Sequence, residues 1–137
     1  MKLFKRILAG VVSAAVIVSA MAVPAAALSS TPKTDSKSGT FKVDNKTYSY
    51  GGDLVATNSY ARASASCTMN TNMGVSVTVY TRMDGKEITL KKEEDTISGM
   101  EVSVTCNNIV GNRPYDLTKA TGKYVISAAS GFDLTVS

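Results

Sequence analysis

The stretch Val75-Ser76-Val77-Thr78-Val79-Tyr80-Thr81-Arg82-Met83-Asp84-Gly85-Lys86-Glu87-Ile88-Thr89-Leu90-Lys91-Lys92 decides the fold class. Side chains alternate apolar and polar with period two, the periodicity of a strand with one buried face. Asp84-Gly85 is the residue pair that a two-residue hairpin turn selects, because both positions need positive φ. If that turn forms, Val79 faces Leu90 and Thr81 faces Ile88 on one side, while Thr78 faces Lys91 and Arg82 faces Glu87 on the other. Turn chemistry and alternation then agree on one register.

The same signals recur outward from this hairpin. Asp44-Asn45 separates Thr40–Val43 from Lys46–Tyr50 and sets Phe41 opposite Tyr48. From Val55 to Met69 the alternation puts Ala61, Ala63, Ala65, Cys67 and Met69 on one face and Arg62, Ser64, Ser66 and Thr68 on the other. Beyond an acidic loop at Glu93-Glu94-Asp95, Met100, Val102, Val104 and Cys106 share an inward face. Asn107 to Lys119, with Gly111 and Pro114, is the longest irregular connection. A last hairpin about Ser130-Gly131 sets Ala129 against Phe132 and Val125 against Val136. Short strands at this spacing, with no helical pattern, predict an all-β fold, an antiparallel β-sandwich of about seven or eight strands over residues 40–137.

The N-terminus carries different information. Lys2, Lys5 and Arg6 precede an apolar run from Ile7 to Val18, and small residues close it at Val23-Pro24-Ala25-Ala26-Ala27. That layout is a secretory signal, read as residues 1–27 with cleavage after Ala27 preferred over Ala22. The apolar run is short for a membrane span, which takes roughly 20 residues, and no second apolar stretch follows it. The chain is expected to be secreted, with residues 28–39, rich in Ser, Thr, Pro and Lys, as a flexible leader.

Removing Lys2, Lys5 and Arg6 from the 15 basic residues leaves 12 against 11 acidic ones. The exported part is nearly neutral, which excludes a nucleic-acid binder working through a basic face. Cys67 and Cys106 are the only cysteines, and in an oxidising compartment they are expected to form one disulfide, the alternative being two free buried thiols.

The 137 residues include no histidine, which removes Ser-His-Asp and Cys-His hydrolysis and the commonest metal ligand. Ser30-Thr31-Pro32-Lys33 has the Ser-x-x-Lys spacing of penicillin-recognising enzymes but lies in the leader instead of at a helix start. Glu87, Glu93, Glu94, Asp95 and Glu101 read as solvated strand and loop charges, with no calcium loop among them. The expectation is a non-enzymatic binding or interaction domain, with no metal or cofactor, acting on an envelope component or another secreted protein. Its candidate surface is Tyr80, on the Arg82 face, with Asn107, Asn108, Arg113 and Tyr115 of the long connection, since loops held by a rigid sandwich are where such folds place function.

The signal, the Ser/Ala alternation from Arg62 to Thr68, and the closing strand Tyr124-Val125-Ile126-Ser127 together resemble small exported β-sandwich proteins of Gram-positive bacteria, remotely the lactococcin-type bacteriocins. The resemblance implies a bacteriocin-like toxin as one alternative function, an inhibitor of another secreted protein being a second. The tryptophans and histidines of those bacteriocins have no counterpart here, so no residue carries the growth-inhibiting activity over.

Overall fold

A computed structural model describes residues 26–137, and the signal segment read at 1–27 lies outside it apart from Ala26 and Ala27. The described residues contain no helix. Their strands are β1 (Lys33–Val43), β2 (Lys46–Ala56), β3 (Tyr60–Met83), β4 (Lys86–Asn107), β5 (Ile109–Val110), β6 (Arg113–Pro114), β7 (Leu117–Ile126) and β8 (Phe132–Val136). All pairings are antiparallel.

Six of these strands form a single sheet, in place of the two sheets expected of a sandwich, and β5 and β6 form a minute hairpin of their own. The reason lies in β3. Its first half, Ala61–Cys67, pairs with β2, and its second half, Met73–Thr81, pairs with β7, while β4 accompanies it along both. Between Ser66 and Thr71 four residues of β3 face only Met100 of β4, an irregularity that bends the ribbon and folds one half of the sheet over the other. β8, paired to β7, then reaches β1: Thr135 N donates to Asp35 Oδ2 at 3.2 Å and Lys33 Nζ to the Ser137 carbonyl at 3.0 Å. The sheet curls into a nearly closed barrel.

Two turns form as their residues dictate. Asp44 and Asn45 take φ of 51° and 64°, and Asp84 and Gly85 take 52° and 76°, the positive values a two-residue hairpin needs. Phe41 faces Tyr48, Thr81 faces Ile88 and Arg82 faces Glu87 as expected. Beyond that the register departs, because Leu90 is the extra residue of a bulge: Tyr80 pairs with Thr89 but Val79 with Lys91 and Thr78 with Lys92.

Further expectations are corrected. Lys33–Gly39 is no flexible leader: it is the first part of β1, paired from Lys33↔Ala56 to Gly39↔Tyr50, and Leu28 is buried with its N–H on the Leu117 carbonyl at 2.8 Å. Ladder bonding and one buried leucine outweigh a composition that alone suggests a linker. Glu93-Glu94-Asp95 lies within β4, and Met100, expected inside, is exposed at the bend. The last hairpin pairs Tyr124 with Phe132 and Ala120 with Val136, because residues 127–131 make a wider loop than two residues.

The cysteines also depart from expectation. Both are buried and unbonded. Cys106 stands opposite Ala61, whereas Cys67 stands six residues further along β3, opposite Tyr50. At ~3.3 Å per residue that is about 20 Å, beyond the ~7 Å a disulfide can bridge. Sequence alternation placed both thiols inward but carried no information about their separation along the strand.

The core is the continuous inner face. Ala61, Ala63 and Ala65 of β3 are small, and the interior volume is taken by Leu54, Leu117, Tyr124, Ile126 and Phe132. Tyr124 and Phe132 stack at 4.7 Å with 5° between planes, and Tyr50 and Phe41 extend the aromatic row towards the β1–β2 turn. Inner-face glycines make room for it. A Cβ on Gly52 would lie 2.7 Å from Phe132 Cζ, and one on Gly122 would lie 2.7 Å from Tyr124 Cε2. The Tyr124 hydroxyl donates to the Asp53 carbonyl at 2.7 Å, so the largest buried side chain has its polar end satisfied.

Candidate functional site

The residues predicted to form a surface do not converge on one. Tyr80 is on the outer face of β3, as expected, but its ring is half covered: Lys119 Nζ lies over it, 4.4 Å from the centroid, and its hydroxyl is 3.4 Å from Thr121 Oγ1. Lys119 is itself fixed by Glu87 Oε1 at 2.6 Å. Glu87 therefore pairs with Lys119 from β7 as well as facing Arg82, whose Nη1 donates to the Gly85 carbonyl. Tyr80, Lys119 and Glu87 form a cross-strand brace with the contacts of a sheet-stabilising cluster.

The long connection is likewise spoken for. Asn108 donates from its backbone to the Ser59 carbonyl and from Nδ2 to the Tyr115 carbonyl, both at 2.9 Å, while its own carbonyl accepts from Tyr115 N. Asn107 Oδ1 accepts from Lys91 Nζ at 3.3 Å and from Ile109 N at 3.1 Å. Arg113 lies over the Tyr115 ring at 5.3 Å. Both asparagines pin the connection to the barrel end where the Thr57–Ser59 turn also sits. The exposed part of this loop is the β5–β6 hairpin, residues 109–114, in which Arg113 stands with the apolar Ile109 and Val110.

A different surface has the shape of a site. On the outer face of the second half-sheet, three cross-strand rows lie side by side: Lys123, Ser76 and Glu94; Val125, Gly74 and Thr96; and, beyond them, Ser127, Asn72 and Ser98. Gly74 has no side chain, so the middle row is a trough, with Val125 as one wall and the Thr96 methyl as the other. A Cβ on Gly74 would meet that methyl at 3.3 Å and begin to fill the floor. The depression encloses about 610 Å³ and is open to solvent. Val125, next to the last residue of β7 and paired with β3 alone, is 58% exposed. One end of the trough carries a cation and an anion, Lys123 and Glu94, and the other end carries hydroxyls and an amide.

The sequence held a signal for this site that patterning passed over, namely an isolated glycine inside a strand, which marks a close approach or an unfilled position. A second depression of similar size, about 610 Å³, lies over Ser38, Gly51, Ser66 and Thr68, on the outer face of the first half-sheet. It is walled by hydroxyls and glycine, with Met100 and Glu101 at its rim.

Among the described residues no group of three His, Cys, Asp or Glu side chains is placed to hold a metal ion. The buried Cys106 thiol is pushed up in pKa, chiefly by burial, with Lys91 opposing and Glu93 adding to the shift. It is a protected thiol, not a nucleophile. Comparison with protein families, with curated proteins and with solved structures finds no match for the chain.

Proposed function

We propose that this chain is an exported, non-enzymatic binding domain that takes its ligand in the outer-face trough over Gly74. The observation that carries it is the valine at Val125, left exposed beside a side-chain-free floor and between a Lys123–Glu94 end and an Asn72–Ser98–Ser127 end. An apolar strip with convergent polar groups is the composition of a recognition surface. The trough runs across three rigid paired strands, so its groups are fixed before a ligand arrives and little ordering entropy opposes binding. Its hydroxyls, amide and single opposed charges suit an extended, largely neutral ligand rich in hydrogen-bonding groups, such as an envelope polymer. Export rests on the layout of residues 1–27.

The test is to mix the protein, purified after expression of the full chain, with intact Gram-positive cells and measure the fraction that sediments. Saturable binding that falls at least ~10-fold with Val125→Glu and is unchanged by Tyr80→Ala is the expected result. Binding that survives Val125→Glu with the fold intact removes the trough from the site. A loss of viability in the bound cells favours the bacteriocin-like alternative. Failure to sediment overturns the envelope ligand and points to a soluble secreted partner, the inhibitor alternative.

A further inference from the structure

The free edge of β4 carries a self-complementary sequence, and we infer that two copies of this chain pair through it, antiparallel and centred on Glu93. β4 is bonded to β3 on one side, and no other strand of the described residues pairs with it. A long open edge is a template for another strand, and proteins commonly block it with like charges. Here the charges are arranged otherwise.

The faces follow from the pairing with β3. Lys91, Glu93, Asp95 and Ile97 stand opposite Val79, Val77, Val75 and Met73 and so point to the inner side, whereas Lys92, Glu94 and Thr96 point outward. The Leu90 bulge resets the phase, so that Thr89, opposite Tyr80, is outward and Ile88, opposite Thr81, is inward. A two-fold axis through Glu93 brings Lys92 against Glu94 on the outer side and Lys91 against Asp95 on the inner side, each twice, and these four attractive contacts outweigh the one like-charge contact of Glu93 with its own copy on the axis, where each Glu93 has Lys91 Nζ at 3.7 Å. One residue beyond, where Leu90 bulges out, Thr89 meets Thr96 and Ile88 meets Ile97. Every pair shares a face, as antiparallel pairing requires. Without the extra residue at 90 the two isoleucines would fall on opposite faces.

Two further observations agree. Ile88 and Ile97 are among the large apolar side chains left exposed, at 37% and 41%. Thr96 N–H is turned away from β3 and is held by its neighbour Asp95 Oδ1 at 2.9 Å. By strand alternation Lys92 and Glu94 present their N–H and C=O groups to the same open edge. In the pair these form the central ladder, and Asp95 exchanges its bond to Thr96 for Lys91 of the other copy. The existing contacts Lys91–Glu93 and Lys92–Glu94, at 3.7 and 3.6 Å, are long exposed ion pairs that cost little to rearrange. Registers shifted by two residues are poorer, since centring on Lys92 keeps only two Lys91–Glu93 contacts about a lysine pair, and centring on Glu94 sets Glu93 on Asp95 with no lysine facing a carboxylate. This pairing goes beyond the proposed trough and does not depend on it, although it would continue the outer face from one trough to the other.

Sedimentation velocity of the protein over a range of concentration and salt tests it. A dimer that weakens with salt is expected. Lys91→Glu with Lys92→Glu, and separately Glu94→Lys with Asp95→Lys, each weaken self-association at least ~100-fold, because four attractive contacts become repulsive. Mixing the two variants restores a dimer, since all four of these contacts are again of opposite sign. Thr96→Pro, which removes an N–H that β3 does not use, also yields a monomer. A monomeric wild type at every concentration overturns the pairing, as does a variant that remains as dimeric as wild type, or a mixture of two folded variants that stays monomeric.

Discussion

Gly51 and Gly52 are adjacent glycines that face opposite sides of β2, and substituting each with alanine separates the two faces energetically. At Gly52 the new Cβ would lie 2.7 and 2.9 Å from Phe132 Cζ and Cε2 and 2.9 Å from Tyr124 Cδ1. The rings must retreat by roughly 0.7 Å to restore ordinary contact. They have little freedom to do so, because they are stacked on each other at 4.7 Å and the Tyr124 hydroxyl is tied to the carbonyl of Asp53, the residue next to the substitution. Overpacking of this kind costs about 1–3 kcal/mol, offset by about 0.5 kcal/mol from the reduced entropy of the unfolded chain. A net loss of about 1.5 kcal/mol lowers the melting temperature by about 6 °C for a domain of this size. At Gly51 the nearest atoms would be the Lys37 carbonyl oxygen at 3.5 Å and Ser38 Cβ at 3.8 Å, so the same substitution is neutral or slightly stabilising. Thermal unfolding followed by far-ultraviolet circular dichroism, with near-ultraviolet signals reporting the ring stack, measures both. Adding Phe132→Leu to Gly52→Ala costs less than Phe132→Leu alone, because the smaller side chain makes room for the methyl. Melting temperatures for the two alanine variants within about 1 °C of each other would refute the aromatic packing.

Three other outcomes follow from the described contacts. Burial, with Asp53 and Asp35 adding to it, raises the Tyr124 pKa well above the ordinary phenol value of about 10. The unfolded chain therefore loses its proton first as pH rises, and the stability this group contributes is full below about pH 10 and declines above it. Tyr124→Phe flattens that alkaline decline in a pH series of urea melts while costing about 1 kcal/mol at neutral pH. Thiol titration without reductant should find two groups that react only after denaturation, whereas a native protein with none after denaturation would restore the disulfide. Gly85→Val, placing a β-branched side chain at φ of 76°, should destabilise the β3–β4 hairpin by about 1–2 kcal/mol in equilibrium urea unfolding.

Local chemistry was legible in the sequence, and long-range geometry was not. Asp44-Asn45 and Asp84-Gly85 announce their turns because positive φ is a property of the residues themselves. The alternation at Ala61, Ala63, Ala65 and Cys67 gives the buried face for the same reason. The Leu90 bulge leaves no mark on composition, and it displaced every pairing beyond Tyr80. Partner exchange along β3 is also invisible locally, so one bent sheet could not be told from two sheets, and the distance between Cys67 and Cys106 stayed hidden. Lys33–Gly39 looked like a linker because the positions of β1 that share the inner side with Phe41 are Lys33, Asp35, Lys37 and Gly39, so no apolar alternation marks the strand. Tyr80 was placed on the correct face, but Lys119, which covers it, comes from 39 residues further along the chain.

The β3–β4 ribbon runs through both halves of the sheet, and this governs how the molecule comes apart. Neither half contains its own complete set of strands: Ala61–Cys67 and Met73–Thr81 are one continuous backbone, and each supplies the inner wall for the other. A defect introduced near β8 is therefore felt at β2, and the barrel unfolds as one cooperative unit with no stable half left behind. The exception is the seam where β1 meets β8, joined by side-chain contacts such as Asp35 to Thr135 and Lys33 to Ser137 in place of a full ladder. It unites segments about a hundred residues apart, which makes it the slowest closure to find during folding and the first to fray. Amide exchange should read the molecule from that line inward, fastest along the seam and slowest beneath Tyr124.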